Sequence, residues 1–139
     1  MSRRVLDAFG LALRCALITT LLLGSLSASQ ALAQDAAAHR AWMDDAADLQ
    51  DELREHLGAR AGDKAAAAAA KIEAILAQTE AYWATKHADD IVKIARESRT
   101  LAAAIASAAK AGRIDRATDA FATMNARCNA CHDLHPEKR

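Results

Sequence analysis

From residue 35 to residue 135 the chain contains no proline, since its single proline is Pro136. Residues that favour helix, alanine above all, dominate this stretch, and no segment alternates apolar and polar residues with the period of a strand. Apolar residues instead recur three and four positions apart, the spacing of one face of a helix. The stretch therefore predicts an all-α fold.

Short clusters of helix-breaking residues divide this stretch into four amphipathic segments. The predicted helices cover residues 36–57, with Gly58 as the stop; 64–85, with Asp63 as N-cap; 89–111, with Gly112 as the stop; and 115–135, before Pro136. Four helices with short connections predict an antiparallel up-down-up-down four-helix bundle. Alanine keeps the core side chains small, so the helices either pack very closely or leave room for something large.

The first 33 residues have the layout of a secretory signal peptide. A basic start precedes a charge-free apolar run from Cys15 to Leu26, and the sequence Ala31-Leu32-Ala33 has the small-residue pattern of a cleavage site. We expect cleavage after Ala33, which leaves residues 34–139 as the bundle domain. An uncleaved membrane anchor is the alternative, but an apolar run of about a dozen residues is shorter than the roughly twenty that cross a bilayer.

Removal of this signal peptide, the leader, changes which cysteines and charged residues remain in the chain. One of the chain's three cysteines, Cys15, belongs to the leader, and the other two are Cys128 and Cys131. The remaining chain is slightly acidic and has few aromatic residues, which excludes a basic, aromatic-rich surface for nucleic acid. Export to the periplasm also takes these cysteines to a compartment where disulfides are permitted and c-type haem is attached.

The remaining cysteines lie in Cys128-Asn-Ala-Cys131-His132, near the end of the fourth predicted helix. A disulfide or a dithiol switch is chemically possible, but redox C-x-x-C pairs normally begin a helix, where the helix dipole stabilises a thiolate. A zinc site could use His135 as its fourth ligand. Structural zinc sites, however, draw ligands from two separated pairs, which four residues on one helix face cannot easily imitate.

The spacing C-x-x-C-H is the attachment signal of c-type haem. Two thiols one helical turn apart can each add to a vinyl group on one edge of a porphyrin, and the adjacent imidazole then points at the iron. An exported, all-helical chain with no other cysteine after its leader fits this interpretation. We therefore favour haem attachment over the disulfide and zinc interpretations.

With this motif closing a four-helix bundle behind a signal peptide, the chain resembles the class II cytochromes c, the group of cytochrome c′ and cytochrome c-556. The resemblance covers essentially residues 35–135 and implies one haem c, with thioether bonds from Cys128 and Cys131 and with His132 as the proximal iron ligand. Family members commonly continue C-x-x-C-H-x-x-Tyr-Arg or a close variant. This chain instead has His135 at the aromatic position.

The sixth iron position decides between electron transfer and gas binding. In an up-down-up-down bundle, the end that holds the C-terminus of the fourth helix also holds the start of the first, where His39 and Met43 lie one turn apart. Periodicity slightly favours His39, whereas the resemblance implies Met43. We take Met43 as the candidate distal ligand and His39 as the runner-up, with an open site as the further alternative. Tyr82 and Trp83 are interpreted as ordinary core packing.

These inferences predict an exported monohaem cytochrome that carries single electrons between periplasmic redox proteins and is not an enzyme. A haem protein that binds nitric oxide or carbon monoxide at an open sixth site is the first alternative. A haem-free helical binding module with a disulfide or zinc is the second. We expect no nucleic-acid partner and no stable membrane insertion after cleavage, and the resemblance allows a homodimer.

Overall fold

Four helices contain most of residues 35–135, the part of the chain that the computed structural model describes. In chain order they are α1 (residues 35–58), α2 (Gly62–Ala84), α3 (Asp89–Lys110) and α4 (Ile114–Leu134). Residues 35–135 contain no β-strand. The predicted all-α fold is confirmed.

Connections of three or four residues join each helix to the next. Because these connections are so short, consecutive helices run in opposite directions. Helix α3 packs against both α2 and α4, and buried residues of α1 join the same apolar core. The arrangement is the antiparallel up-down-up-down bundle that the four amphipathic segments predict. Each helix contributes to the buried core, for example Leu53 of α1, Ile72 of α2, Ile105 of α3 and Phe121 of α4.

The helix boundaries differ from the predicted ones by at most two residues. Helix α1 continues through Gly58, and the residue with a left-handed backbone after it is Arg60, with a φ of 53°. Asp63 was predicted as an N-cap, but it lies in the first turn of α2, and Ala61 occupies the cap position without a side-chain hydrogen bond. That prediction was wrong, although a carboxylate in the first turn still interacts favourably with the helix dipole.

The core is built largely from alanine at the end of the bundle where α2 begins and α3 ends. A β-carbon added to Gly62 would lie 2.6 Å from the backbone oxygen of Ala109, so the two helices are in direct backbone contact there. Ala65, Ala69 and Ala102 are fully buried at this interface. Small side chains thus permit close helix packing at this end.

The predicted signal peptide, residues 1–33, lies outside the described residues, as do Pro136 and the final basic residues. Residues from His39 to His135 belong to one compact unit. Among the described helices, none combines the length and the apolar character needed to cross a bilayer.

Candidate functional site

A cavity of about 250 Å³ lies at the opposite end of the bundle, where α1 and α3 begin and α2 and α4 end. It is larger than the roughly 150 Å³ cavity that accepts a benzene ring in an engineered protein core. Most of its wall is apolar. All four helices contribute to this wall, and its members include Ala46, Ile72, Leu76, Ile91, Ile94 and Ala95.

The motif residues of α4 form one side of the cavity. Cys128, Cys131 and His132 all line it, because the last turns of α4 present positions three and four apart to the same side. All three side chains are partly exposed, and Cys128 also packs against the apolar core. The helix therefore brings together the three residues that the sequence motif singled out.

Both cysteines are free thiols, and their surroundings favour the protonated form. Burial raises the pKa of the Cys128 thiol, and a hydrogen bond with Ser98 opposes this effect. Burial also raises the pKa of Cys131, and the negative charge of Asp90 adds to the rise. Reactive dithiol pairs have lowered pKa values instead, so these surroundings do not favour a thiolate-based redox switch.

The other side of the cavity includes His39 and Met43 of α1. His39 is buried, with 8% of its surface exposed, and Met43 is half-buried. Burial lowers the pKa of His39, and the nearby positive charges of His132 and Lys86 lower it further. Both sequence candidates for a distal ligand therefore share one cavity with His132.

Two further side chains that could bind iron, Met124 and His87, lie elsewhere. Met124 is completely buried in the apolar core. His87 is exposed in the connection between α2 and α3, where its φ is 56°. Neither is among the residues that line the cavity.

His39 belongs to a cluster of aromatic rings that the sequence did not reveal. The indole Nε1 of Trp83 donates a hydrogen bond to His39 Nε2 at 3.0 Å. The ring of Tyr82 stacks on the imidazole with centroids 4.6 Å apart, and Trp42 meets it edge-on at 6.3 Å. Tyr82 and Trp83 were interpreted as ordinary core packing, but both contact a side chain of the cavity wall.

His135 follows the last residue of α4 and also lines the cavity. Its Nε2 lies 2.8 Å from Oδ2 of Asp90, the second residue of α3. A hydrogen bond from the backbone N–H of Ile91 lowers the pKa of Asp90, and the contact with His135 contributes to the same effect. This pair joins the end of α4 to the start of α3.

Residues 35–135 contain no group of three or more His, Cys, Asp or Glu side chains placed to hold a metal ion together. A tetrahedral zinc site needs four such ligands. The zinc interpretation of Cys128, Cys131, His132 and His135 therefore gains no support from their arrangement, although all four line the cavity.

No family model, no curated protein and no solved structure matches the chain. The resemblance to the class II cytochromes c therefore rests on the chain's own residues, the CNACH motif at 128–132 and the four-helix architecture around it.

Proposed function

We propose that this protein is an exported monohaem c-type cytochrome that carries one electron at a time between periplasmic redox proteins. One observation carries the proposal. Cys128, Cys131 and His132 line an apolar cavity inside a four-helix bundle, and two further possible iron ligands, His39 and Met43, line the same cavity.

The chemistry of the cavity fits a covalently attached porphyrin. A haem group needs apolar walls for its ring, two thiols near one edge and an imidazole for the iron. The cavity has mostly apolar walls, and its two thiols have raised pKa values, so they are in the S–H form that adds to a vinyl group. The haem would supply an iron that takes up and releases one electron.

The protein's own residues would hold and shield this group. Cys128 and Cys131 would anchor it, and His132 would offer its imidazole from the same helix. Ile72, Leu76 and the other apolar wall residues would exclude water, which affects the potential of a buried redox centre. Of the two possible donors on α1, His39 already accepts a hydrogen bond on Nε2, so Met43 is the better candidate for the distal position.

Native and denatured mass measurements test the proposal directly. The full chain, produced in a host that attaches c-type haem, is expected to keep the mass of one haem after denaturation, because thioether bonds survive unfolding. The double variant Cys128→Ala/Cys131→Ala should lack this mass. If the wild-type chain from such a host has no added mass, the cytochrome proposal fails.

The distal position separates electron transfer from gas binding. With Met43 as ligand, the reduced protein should be low-spin and take up carbon monoxide slowly. Met43→Ala should then produce a high-spin reduced spectrum and rapid uptake. Gln50→Ala, at a neighbouring wall position of α1, is the matched control and should leave both unchanged. Rapid uptake by the wild-type protein would instead support the gas-binding alternative.

A further inference from the structure

The imidazole of His39 is oriented by a buried hydrogen bond. Trp83 Nε1 lies 3.0 Å from His39 Nε2, and both residues are less than one-tenth exposed. An indole N–H can only donate, so His39 Nε2 must carry a lone pair and the imidazole must be neutral. Burial lowers the pKa of His39 and favours the same state. The lone pair of this nitrogen is therefore already engaged.

Ring contacts also fix the plane of this imidazole. Tyr82 stacks on it with an interplanar angle of 16°, and Trp83 meets it edge-on with centroids 5.3 Å apart. The ammonium group of Lys86 lies 4.4 Å from the centre of the Tyr82 ring. Rotation of His39 away from Trp83 would disrupt the stack as well as the hydrogen bond.

His39 nevertheless lines the same cavity as His132, so it would compete with Met43 for the iron. Met43 lies one helical turn further along α1 and lines the same cavity. Its thioether sulfur is a weak hydrogen-bond acceptor, so a similar bond would not hold it away.

We propose that Trp83 is a positioning residue that selects which side chain of α1 would bind the iron: by engaging His39 Nε2 it would keep this nitrogen from the iron and leave that role to Met43. This inference rests on the proposed haem function. Methionine ligation raises the reduction potential relative to a second histidine. The hydrogen bond from Trp83 to His39, two residues that would not bind the iron, would thereby set the reduction potential of the protein.

The test begins with Trp83→Phe in the haem-loaded full chain, which removes the indole N–H and keeps an aromatic ring. We expect a low-spin spectrum typical of two histidine ligands and a midpoint potential below that of the wild type. The double variant Trp83→Phe/His39→Leu should restore the wild-type spectrum. Trp42→Phe is the matched control, since Trp42 also touches the His39 ring edge-on, and it should change neither spectrum nor potential.

Two results would overturn the inference while the haem proposal stands. One is covalently attached haem with a wild-type spectrum and potential in Trp83→Phe. The other is a spectral change in Trp83→Phe that persists when His39 is also replaced. Absence of attached haem in the wild-type protein would instead refute the proposed function itself.

A second measurement needs no haem and no variant of Trp83. Hydrogen exchange of the Trp83 indole N–H can be followed by NMR in the full chain produced without haem. His39→Phe retains a ring against Tyr82 but removes the acceptor, so exchange should become faster by roughly tenfold or more. Unchanged exchange in His39→Phe would show that the hydrogen bond is not formed and would overturn the inference.

Discussion

At the scale of single residues, His39 is the clearest example of a side chain whose surroundings set its protonation state. Its pKa is lowered because burial, His132 and Lys86 all oppose the positive charge. Protonation would also turn the nitrogen that accepts from Trp83 into a second donor. The folded protein therefore binds a proton at His39 less readily than the unfolded chain does.

This difference predicts how stability depends on pH. Above about pH 6.5, the ordinary value for histidine, His39 is neutral in both states and its contribution to stability is complete. As the pH falls below that value, the unfolded chain takes up a proton first, so the free energy of unfolding should decrease. Urea denaturation of the haem-free full chain at pH 7.5 and pH 5.5 measures the effect.

The variant His39→Gln identifies the group responsible, because a glutamine oxygen can accept from Trp83 but does not titrate. We expect this variant to lose less stability between the two pH values than the wild type. His56→Gln, on the same helix but outside the cavity wall, controls for the loss of a histidine as such. An equal pH dependence in the wild type and His39→Gln would contradict this prediction.

At the scale of the helices, two glycines near one connection have opposite roles. Gly58 lies in the last turn of α1, and a β-carbon added there would have no other atom within 4 Å. Gly62 is the first residue of α2, and a β-carbon added there would lie 2.6 Å from the backbone oxygen of Ala109. Gly58→Ala should therefore stabilise the fold by up to about 1 kcal/mol, since alanine restricts the unfolded chain.

The matched change Gly62→Ala should destabilise the fold by about 1–3 kcal/mol, because backbone atoms cannot move aside as a flexible side chain can. Thermal and urea unfolding of the two variants measure both effects. Equal effects of the two substitutions would show that α2 and α3 are not in close contact at this point.

The sequence predicts the existence of the helices better than it predicts the residues at which they begin and end. The three-and-four spacing of apolar residues predicts α1 to α4, and Gly112, with a φ of 71°, follows α3 as expected. Asp63 was misassigned because an aspartate before an apolar segment is typical of an N-cap. Close approach of Gly62 to Ala109 depends on contacts between helices, which a local pattern does not contain.

At the scale of the whole molecule, the two ends of the bundle are packed differently. At one end α2 and α3 approach closely beside buried alanines, and the other end contains the cavity. Helix α3 passes through both, with Ala102 fully buried in the core and Ala95, seven residues earlier on the same face, in the cavity wall. The same substitution at these positions should therefore have different consequences.

Ala102→Leu should destabilise the haem-free chain by about 1–3 kcal/mol, since a filled core has no space for three more carbon atoms. Ala95→Leu can extend into the cavity and should leave the stability of the haem-free chain nearly unchanged. It should instead reduce the fraction of protein that carries haem. Urea denaturation measures the first effect, and mass measurement of haem-loaded samples measures the second. A large loss of stability in Ala95→Leu would mean that the cavity is not available space.

Most of the residues that form the candidate site could be predicted from the motif and the topology. An antiparallel bundle brings the end of α4 beside the start of α1, so Cys128 and His132 meet His39 and Met43 around one cavity. The hydrogen bond between His39 and Trp83 could not be predicted in the same way. It depends on the rotation of α1 and α2 about their axes, and small alanine side chains leave that rotation weakly specified by the sequence pattern.

The short connections between the helices have a consequence for the order in which the fold can assemble. Because α3 packs against both of its neighbours in the chain, many contacts join segments that are close in sequence, a topology that folds quickly. The side of the cavity that contains both thiols belongs to α4, the last of the four helices to be synthesised. Docking of α4 would therefore complete the enclosure, and any group attached at Cys128 and Cys131 would enter the bundle together with its last helix.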